Sequence, residues 1–266
     1  MLGAFQGVAE FLPISSSGHL AILQKLFGLN DASENLTLNI LLHVATLLAI
    51  FMVYYKELWA LIKEGFSFLG DLIKLKPNFF KNDDRKLLMM IIISCIPTGI
   101  LGLIIEALDE KVGITSNTKI VGTLLLVTAI ILFVSKRFEN GKKQIKDATI
   151  KDSFIVGLLQ GIAVLPGISR SGTTITTGMA CGFSKELAVR FSFFMSMPII
   201  LLAAIKDIIF DGGLQGFEIS YLYSMITATI VGYFSIKLLI KMIENKKYSL
   251  FAWYCLCVGL ITIFLI

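Results

Sequence analysis

Two similar interrupted segments decide how this chain folds. The first contains QGVAEFLPISSSGH at residues 6–19, and the second contains QGIAVLPGISRSG at residues 160–172. Both are apolar segments broken near the middle by proline, serine and glycine. Proline removes a backbone donor and moves the residue before it out of the helix, and serine and glycine disfavour an immediate return to helix. We therefore predict that each segment is a broken helix rather than a plain transmembrane span.

The rest of the chain places these segments in a membrane. Of the 266 residues, 56% are hydrophobic and 16% are charged, and the mean hydropathy is +0.81. Soluble domains are about 45–50% apolar and about 25% charged. A helix needs about 20 apolar residues to cross the bilayer, and six segments meet this length: 36–55, 87–105, 118–135, 187–206, 219–236 and 248–266. The predicted class is an all-α, polytopic integral membrane protein with six transmembrane helices.

Other protein classes are disfavoured by the remaining composition. The four cysteines lie in apolar stretches and form no paired framework. Two histidines and no CxxC motif disfavour a zinc site. The net charge of +5 does not indicate a nucleic-acid partner, because the placement of charge matters more than its sum in a membrane protein.

The distribution of basic residues indicates how the broken segments enter the membrane. If each returns to its side of entry, the loops 56–86, 136–151, 185–190 and 237–247 share one face and carry 19 of the 24 Lys and Arg residues. The positive-inside rule makes this face cytoplasmic and puts both termini outside. Backbone that is not helical survives at membrane depth only within protein or beside a watery cavity. We therefore predict two re-entrant helical hairpins, at residues 1–27 and 153–184.

The two hairpins also indicate an internal repeat. Residues 6–9 match residues 160–163, and Ser17-Gly18 matches Ser171-Gly172, both at an interval of 154. Repeat A covers residues 1–136, a cytoplasmic linker covers 137–152, and repeat B covers 153–266, all within one membrane domain. Three spans per repeat invert the second repeat, and inverted repeats with broken helices place a binding site near the membrane midplane. Chance similarity between small-residue loops is the alternative, and the match on both sides of the break disfavours it.

Glu10 and Arg170 are the two ionisable residues, apart from the histidines, that this topology leaves deep inside. Each is costly in lipid without a partner, so we expect them to face each other or a wet cavity. A structural ion pair that locks the hairpins together is one interpretation. A binding site is favoured instead, because more polar groups surround the two residues than a pair needs.

These polar groups suit a phosphate. Small residues let backbone N–H groups approach an anion, and each helix after a break presents its positive N-terminal end. Arg170 adds a planar fork for oxygen atoms. Gln6 and Glu10 are four residues apart and are predicted to hold a hard divalent cation, magnesium or calcium. The predicted substrate-binding residues are Ser15, Ser17, Gly18, Ser169, Ser171, Gly172 and Thr173.

The two histidines receive different interpretations. His19 lies three residues past Ser16, close enough for proton transfer if the chain is helical there. His43 lies in an otherwise apolar span, and we interpret it as a structural residue satisfied by one hydrogen bond.

The two motifs, and nearly the whole chain, resemble the undecaprenyl-diphosphate phosphatase family, also called bacitracin-resistance proteins. The resemblance implies a hydrolase of the bacterial plasma membrane that converts undecaprenyl diphosphate to the monophosphate and recycles the lipid carrier of peptidoglycan synthesis. It implies a metal-associated motif at Gln6 and Glu10, a serine nucleophile at Ser16, a histidine at His19 and an arginine at Arg170. Many members have glutamate where this chain has Gln6. The resemblance also favours a cavity open to the outer face.

The sequence leaves several alternatives open. Either Ser16 attacks the terminal phosphorus with His19 as relay, or water attacks with Glu10 or His19 as base. A lipid-phosphate transporter or flippase would use a similar anion site, and a structural scaffold is a weaker third class. Expected partners are a polyprenyl diphosphate substrate and membrane lipids, and a homodimer is one assembly that the chain allows.

Overall fold

The computed structural model describes residues 1–27, 36–210 and 218–266, and these residues are almost entirely helical. Within these ranges a single isolated β-bridge joins Lys143 and Phe183, and no strand forms. The predicted all-α class is confirmed. The helices are α1 (Leu2–Ala9), α2 (Ser16–Phe27), α3 (Leu36–Ile73), α4 (Asp83–Val112), α5 (Thr118–Ser135), α6 (Ile150–Ile162), α7 (Arg170–Ala180), α8 (Lys185–Phe210), α9 (Ile219–Glu244) and α10 (Leu250–Leu265).

Five helices in the described part of the chain are long and apolar enough to cross a membrane: α3, α4, α5, α8 and α9. They confirm five of the six predicted spans. The sixth prediction, residues 248–266, coincides with α10, which has 16 residues and is shorter than a plain span. Large apolar side chains such as Ile100, Leu103 and Leu202 stay more than half exposed. Such an outer surface is typical of a protein surrounded by lipid, and the chain is a polytopic membrane protein.

The helix α3 differs from its prediction. The predicted span covers residues 36–55 and is followed by the basic loop 56–86. Instead one helix of 38 residues continues to Ile73, with a kink at Tyr54 where φ is −117° and ψ is 29°. Leu58 and Leu61 in its second part are buried in the same apolar core as Leu87 of α4. This burial against α4 explains why the segment continues α3 and packs on the protein.

Glycines at matching positions of the two halves allow equivalent close contacts. A Cβ atom added to Gly3 of α1 would lie 2.1 Å from the carbonyl oxygen of Ser224 in α9. A Cβ atom added to Gly157 of α6 would lie 2.2 Å from the carbonyl oxygen of Ser94 in α4. Each broken segment therefore packs its first helix closely against a long helix from the other half of the chain. The two glycines are 154 residues apart, the same interval that relates the two sequence motifs.

Candidate active site

The first broken segment leaves the helical conformation between Glu10 and Ser15. Pro13 lies within this break, and Ser15 has a positive φ of 70°. The Ser15 hydroxyl oxygen accepts the backbone N–H of Gly18 at 3.2 Å, which caps the first turn of α2. This reversal of the backbone and the cap let α2 begin at Ser16.

The second broken segment is built in a similar way. The helix α6 ends at Ile162, and Gly167 has a φ of 102°. The Ser169 hydroxyl oxygen accepts the backbone N–H of Gly172 at 3.1 Å and caps α7. The hydroxyl of Thr128 on α5 supports the break, because it donates to the Gly167 carbonyl oxygen at 2.8 Å and accepts the Ser169 N–H at 3.0 Å.

The tips of the two segments touch. The Ser15 hydroxyl oxygen also accepts the backbone N–H of Gly167, at 3.1 Å. A Cβ atom added to Gly18 would lie 2.8 Å from the Gly167 Cα atom. Only a glycine at residue 18 permits this approach, so the backbones of the two breaks are in direct contact.

Glu10 and Arg170 meet at this junction. The Arg170 Nη2 atom donates to Glu10 Oε1. The predicted contact between the two charges is therefore present. The Glu10 side chain is 4% exposed, and a carboxylate at this depth needs such a partner to offset the loss of hydration.

Three further side chains surround the second oxygen of Glu10. The Gln6 amide Nε2 donates to Glu10 Oε2 at 3.1 Å, and the Ser16 hydroxyl donates to the same oxygen at 3.0 Å. His43 Nε2 lies 4.0 Å from Oε2. The carboxylate therefore orients the hydroxyl of Ser16 and connects it to the guanidinium of Arg170.

A cavity of about 410 Å³ opens beside this cluster. Its wall has a polar part and an apolar part, which together suit an amphiphile with a charged head. The polar part contains Glu10, Ser15, Ser16, Ser17, Asn39, His43, Thr98, Gln160, Ser169, Arg170 and Asp207. The apolar part contains Ala9, Ile40, Ala163, Val164, Ile168, Ile199, Ile200, Ala203 and Ala204.

Four predicted substrate-binding residues lie outside this wall. Gly18 and Gly172 supply the backbone N–H groups that the two capping serines accept. The Ser171 hydroxyl is buried 3.4 Å from the Ser169 hydroxyl, and Thr173 is buried in α7. These four residues therefore lie in the first turns of α2 and α7. Ser15, Ser17 and Ser169 contribute to the cavity wall.

The two histidines occupy different places from those expected. His19 is buried, its Nδ1 lies 2.9 Å from the Ser15 carbonyl oxygen, and its Nε2 lies 2.8 Å from the hydroxyl of Tyr254 in α10, on which it stacks. Both ring nitrogens are thus engaged, and His19 is outside the cavity wall. His43 contributes to the wall instead. The predicted role of His19 as proton relay for Ser16 stays a prediction. The structural interpretation of His43 overlooked its contact with the cavity.

Sequence reasoning also missed Asn39, Gln160 and Asp207. Asn39 and His43 are four residues apart, and this spacing puts both on one face of α3. Two polar residues on one face of an apolar span were the available signal for this part of the wall. Gln160 was available as the counterpart of Gln6 in the repeat, whereas Asp207 follows an apolar span with no motif around it.

Protein donors engage both oxygens of Glu10 in this structure, and the divalent cation predicted between Gln6 and Glu10 stays a prediction. Gln6 turns its amide N–H toward Glu10, and an N–H group is not a ligand for magnesium or calcium, which prefer oxygen. The other oxygen of Glu10 is paired with Arg170. The described residues contain no group of three or more His, Cys, Asp or Glu that could hold a metal ion. Arg170 supplies the positive charge beside Glu10 in this structure.

These features define a class: a polytopic helical membrane protein with a buried carboxylate paired to a guanidinium on an amphipathic cavity. The family model described as "Bacitracin resistance protein BacA" matches residues 1–261 of the chain. The chain belongs to this family.

Proteins named undecaprenyl-diphosphatase are similar over nearly their whole length. The one from Alkaliphilus metalliredigens is 42% identical over 266 residues, covering 99% of this chain and 96% of the relative. The one from Methanosphaera stadtmanae is 41% identical over 272 residues, covering 100% and 96%. Undecaprenyl-diphosphatase 2 of Bacillus thuringiensis is 35% identical over 268 residues, covering 99% and 95%.

Proposed function

We propose that this protein is an undecaprenyl-diphosphate phosphatase, which releases the terminal phosphate of undecaprenyl diphosphate and leaves undecaprenyl phosphate. The observation that carries the proposal is the pair of Glu10 and Arg170 at the junction of two broken helices, beside a cavity with a polar and an apolar wall. The names of the full-length relatives support the substrate. Nothing favours the transporter alternative.

The polar wall is suited to bind the diphosphate. Arg170 presents a guanidinium group whose remaining N–H donors can bind two phosphate oxygens at once. The helices α2 and α7 both begin at the junction, so their positive ends face the same region. Charge that develops on the phosphate oxygens during transfer is stabilised by these fixed donors.

Two routes to phosphate release fit this arrangement. In one, Ser16 attacks the terminal phosphorus, and Glu10 Oε2 receives its hydrogen bond. In the other, water attacks and Ser16 serves to bind the phosphate. A trapped phosphoserine would support the first route, and retained turnover in Ser16→Ala would exclude it.

The apolar wall is suited to the lipid tail. Ile199, Ile200, Ala203 and Ala204 lie along α8 and form an apolar strip at the cavity. We infer that the first isoprene units lie on this strip while the remainder of the chain stays among membrane lipids. The role in lipid-carrier recycling for the cell wall, and resistance to bacitracin, follow from this activity and the family description.

The proposed topology has six spans and two re-entrant hairpins in an inverted repeat. Repeat A covers residues 1–136, the cytoplasmic linker 137–152, and repeat B 153–266. The equivalent contacts of Gly3 and Gly157 support this arrangement. The basic loops would face the cytoplasm of a bacterial plasma membrane, and both termini and the cavity mouth would face outside. A magnesium or calcium ion and a homodimer stay predictions, and no step of the reaction is assigned to the ion.

The proposal is tested by phosphate release from undecaprenyl diphosphate by the purified protein in liposomes. We expect turnover by the wild type and a loss of about 10²–10³-fold or more in Arg170→Ala, because fixed positive donors at the phosphate are removed. Arg170→Lys is the matched control, since it keeps the charge without the planar fork, and should retain more activity than Arg170→Ala.

A wild-type protein that releases no phosphate would contradict the proposal and return the transporter alternative to consideration. Glu10→Gln provides a second check. It keeps the size of the side chain and removes the charge that orients Ser16 and Arg170, and we expect a loss of similar size.

A further inference from the structure

The imidazole of His43 has one nitrogen committed to its own helix and one directed to the cavity. Nδ1 lies 2.8 Å from the carbonyl oxygen of Asn39, one turn earlier in α3. A carbonyl oxygen only accepts hydrogen bonds, so Nδ1 donates to it, and Nε2 is the ring nitrogen placed to accept a hydrogen bond. The side chain is 44% exposed in the cavity wall, and Nε2 lies 4.0 Å from Glu10 Oε2.

Two acceptor atoms at this separation match the two hydrogens of one water molecule. A water oxygen about 2.8 Å from both His43 Nε2 and Glu10 Oε2 would see them at an angle of about 90°. That angle is close to the angle between the two O–H bonds of water. A water molecule held in this way directs its lone pairs away from both acceptors and into the cavity.

Ser16 need not compete with this water. Its hydroxyl donates to Glu10 Oε2 in the structure, but a hydroxyl hydrogen can rotate to suit its surroundings. When a phosphate enters, the Ser16 hydrogen can turn to a phosphate oxygen, which leaves an acceptor position of Oε2 for the water. Arg170 stays on the other carboxylate oxygen, Oε1.

We propose that His43 is the general base for direct attack of water on the terminal phosphorus; this inference rests on the proposed phosphatase function. The water oxygen forms a bond to the terminal phosphorus, and the bond between that phosphorus and the bridging oxygen breaks. The electron pair of the broken bond leaves with the lipid monophosphate. The water proton passes to His43 Nε2, and the resulting imidazolium faces the Glu10 carboxylate until the proton is released to water in the cavity.

The other histidine is placed differently. His19 Nε2 is hydrogen-bonded to the Tyr254 hydroxyl, and its ring is outside the cavity wall. The charged groups that share the cavity with His43 are Glu10, Arg170 and Asp207. Among the two histidines, His43 is thus the one whose free nitrogen lies beside Glu10.

The test compares His43→Ala and His43→Gln with wild type in liposomes containing undecaprenyl diphosphate. General-base catalysis contributes about 10²–10⁴-fold, so we expect kcat to fall by at least about 100-fold with a small change in KM. Added imidazole should restore part of the activity of His43→Ala, because it can occupy the space of the missing ring. His19→Ala, treated with imidazole in the same way, should show no such rescue.

Several results would overturn this inference. These are a wild-type kcat in His43→Gln, imidazole rescue of His19→Ala in place of His43→Ala, and a phosphoserine trapped on the wild-type protein. The last measurement needs no variant and therefore does not depend on how the His43 variants fold. In each case wild-type phosphate release would show that the phosphatase function stands, whereas its absence would contradict the function itself.

Discussion

In the first broken segment the charged residue precedes the break, and in the second it follows the break. The supports of the two breaks correspond: Ser15 caps at Gly18, and 154 residues later Ser169 caps at Gly172. The charges do not correspond. The position equivalent to Glu10 is Val164, and the position equivalent to Arg170 is Ser16.

The scaffold of the site and its reactive groups therefore come from different positions in the sequence. Serine and glycine at equivalent positions build two similar tips. The reactive groups come from positions at which the two tips differ, so one tip brings a carboxylate and a hydroxyl while the other brings a guanidinium. A site with matching charges on both tips would place like charges together at the junction, which is unfavourable in a buried site.

The largest expected effect on stability comes from replacing Glu10 and Arg170 with the residues at the equivalent positions of the other repeat. Arg170→Ser leaves the buried Glu10 carboxylate without its partner, which costs about 3–5 kcal/mol. Glu10→Val leaves the half-buried Arg170 guanidinium without its partner and should cost less. The double variant removes both charges and should recover much of that stability. We expect the thermal unfolding temperature in detergent to fall in each single variant and to rise again in the double variant.

Phosphate release should follow a different pattern in the same variants. All three should lose activity by at least about 10²–10³-fold, because each lacks either the Arg170 donors at the phosphate or the Glu10 carboxylate that orients Arg170 and Ser16. If the effects of the two single substitutions on stability simply add in the double variant, the ion pair does not couple the two tips.

Removing either capping serine is expected to lower stability by a smaller amount. Ser15→Ala and Ser169→Ala each remove a helix cap, which costs about 0.5–2 kcal/mol. Ser15→Ala should cost more, because the Ser15 hydroxyl also accepts the N–H of Gly167 across the junction. Leaving that buried N–H unpaired adds about 1–3 kcal/mol.

Unfolding temperatures of the two variants measure this difference. Ser220→Ala, at an exposed position at the start of α9, is the matched control and should change stability little. Equal losses in Ser15→Ala and Ser169→Ala would mean that the hydrogen bond between the tips contributes little.

The smallest expected effect is on the magnesium dependence of activity, when Gln6 or Gln160 is replaced by glutamate. Gln6→Glu places a second carboxylate beside Glu10 and provides the oxygen ligands that magnesium and calcium prefer. We expect a few-fold decrease in the magnesium concentration that gives half-maximal activity. Gln160→Glu is the matched variant, because its equivalent neighbour is Val164 rather than a carboxylate.

Titration of phosphate release with magnesium, after chelation of the purified protein, measures both variants. A decrease for Gln160→Glu as large as for Gln6→Glu would contradict the assignment of the effect to a pair of carboxylates. An unchanged response in Gln6→Glu would show that two acids at this place do not create a cation site.

The breaks and the pairing of Glu10 with Arg170 could be predicted from the sequence because their causes are local. Proline, glycine and serine interrupt a helix wherever they cluster, and two isolated charges in an apolar chain have few partners available. The five long spans were predictable for the same reason, since length and hydropathy define them.

The part of the cavity wall that α8 forms could not be predicted in this way. Which face of an apolar span meets the hairpins depends on tertiary packing, so Ile199, Ile200 and Asp207 carried no signal of their own. The direction of His19 depends on the positive φ of Ser15, which sets the rotation of α2 about its axis. Regular helical spacing from Ser16 to His19 therefore did not reveal that the ring points to α10.

The contact of Gly18 with Gly167 has a consequence for how the protein works over a catalytic cycle. Two main chains pressed together at van der Waals distance cannot separate or slide without breaking the hydrogen bond from Gly167 to Ser15. The junction is therefore expected to stay rigid while a long lipid substrate enters. Any movement that admits the substrate is then expected in the helices around the junction.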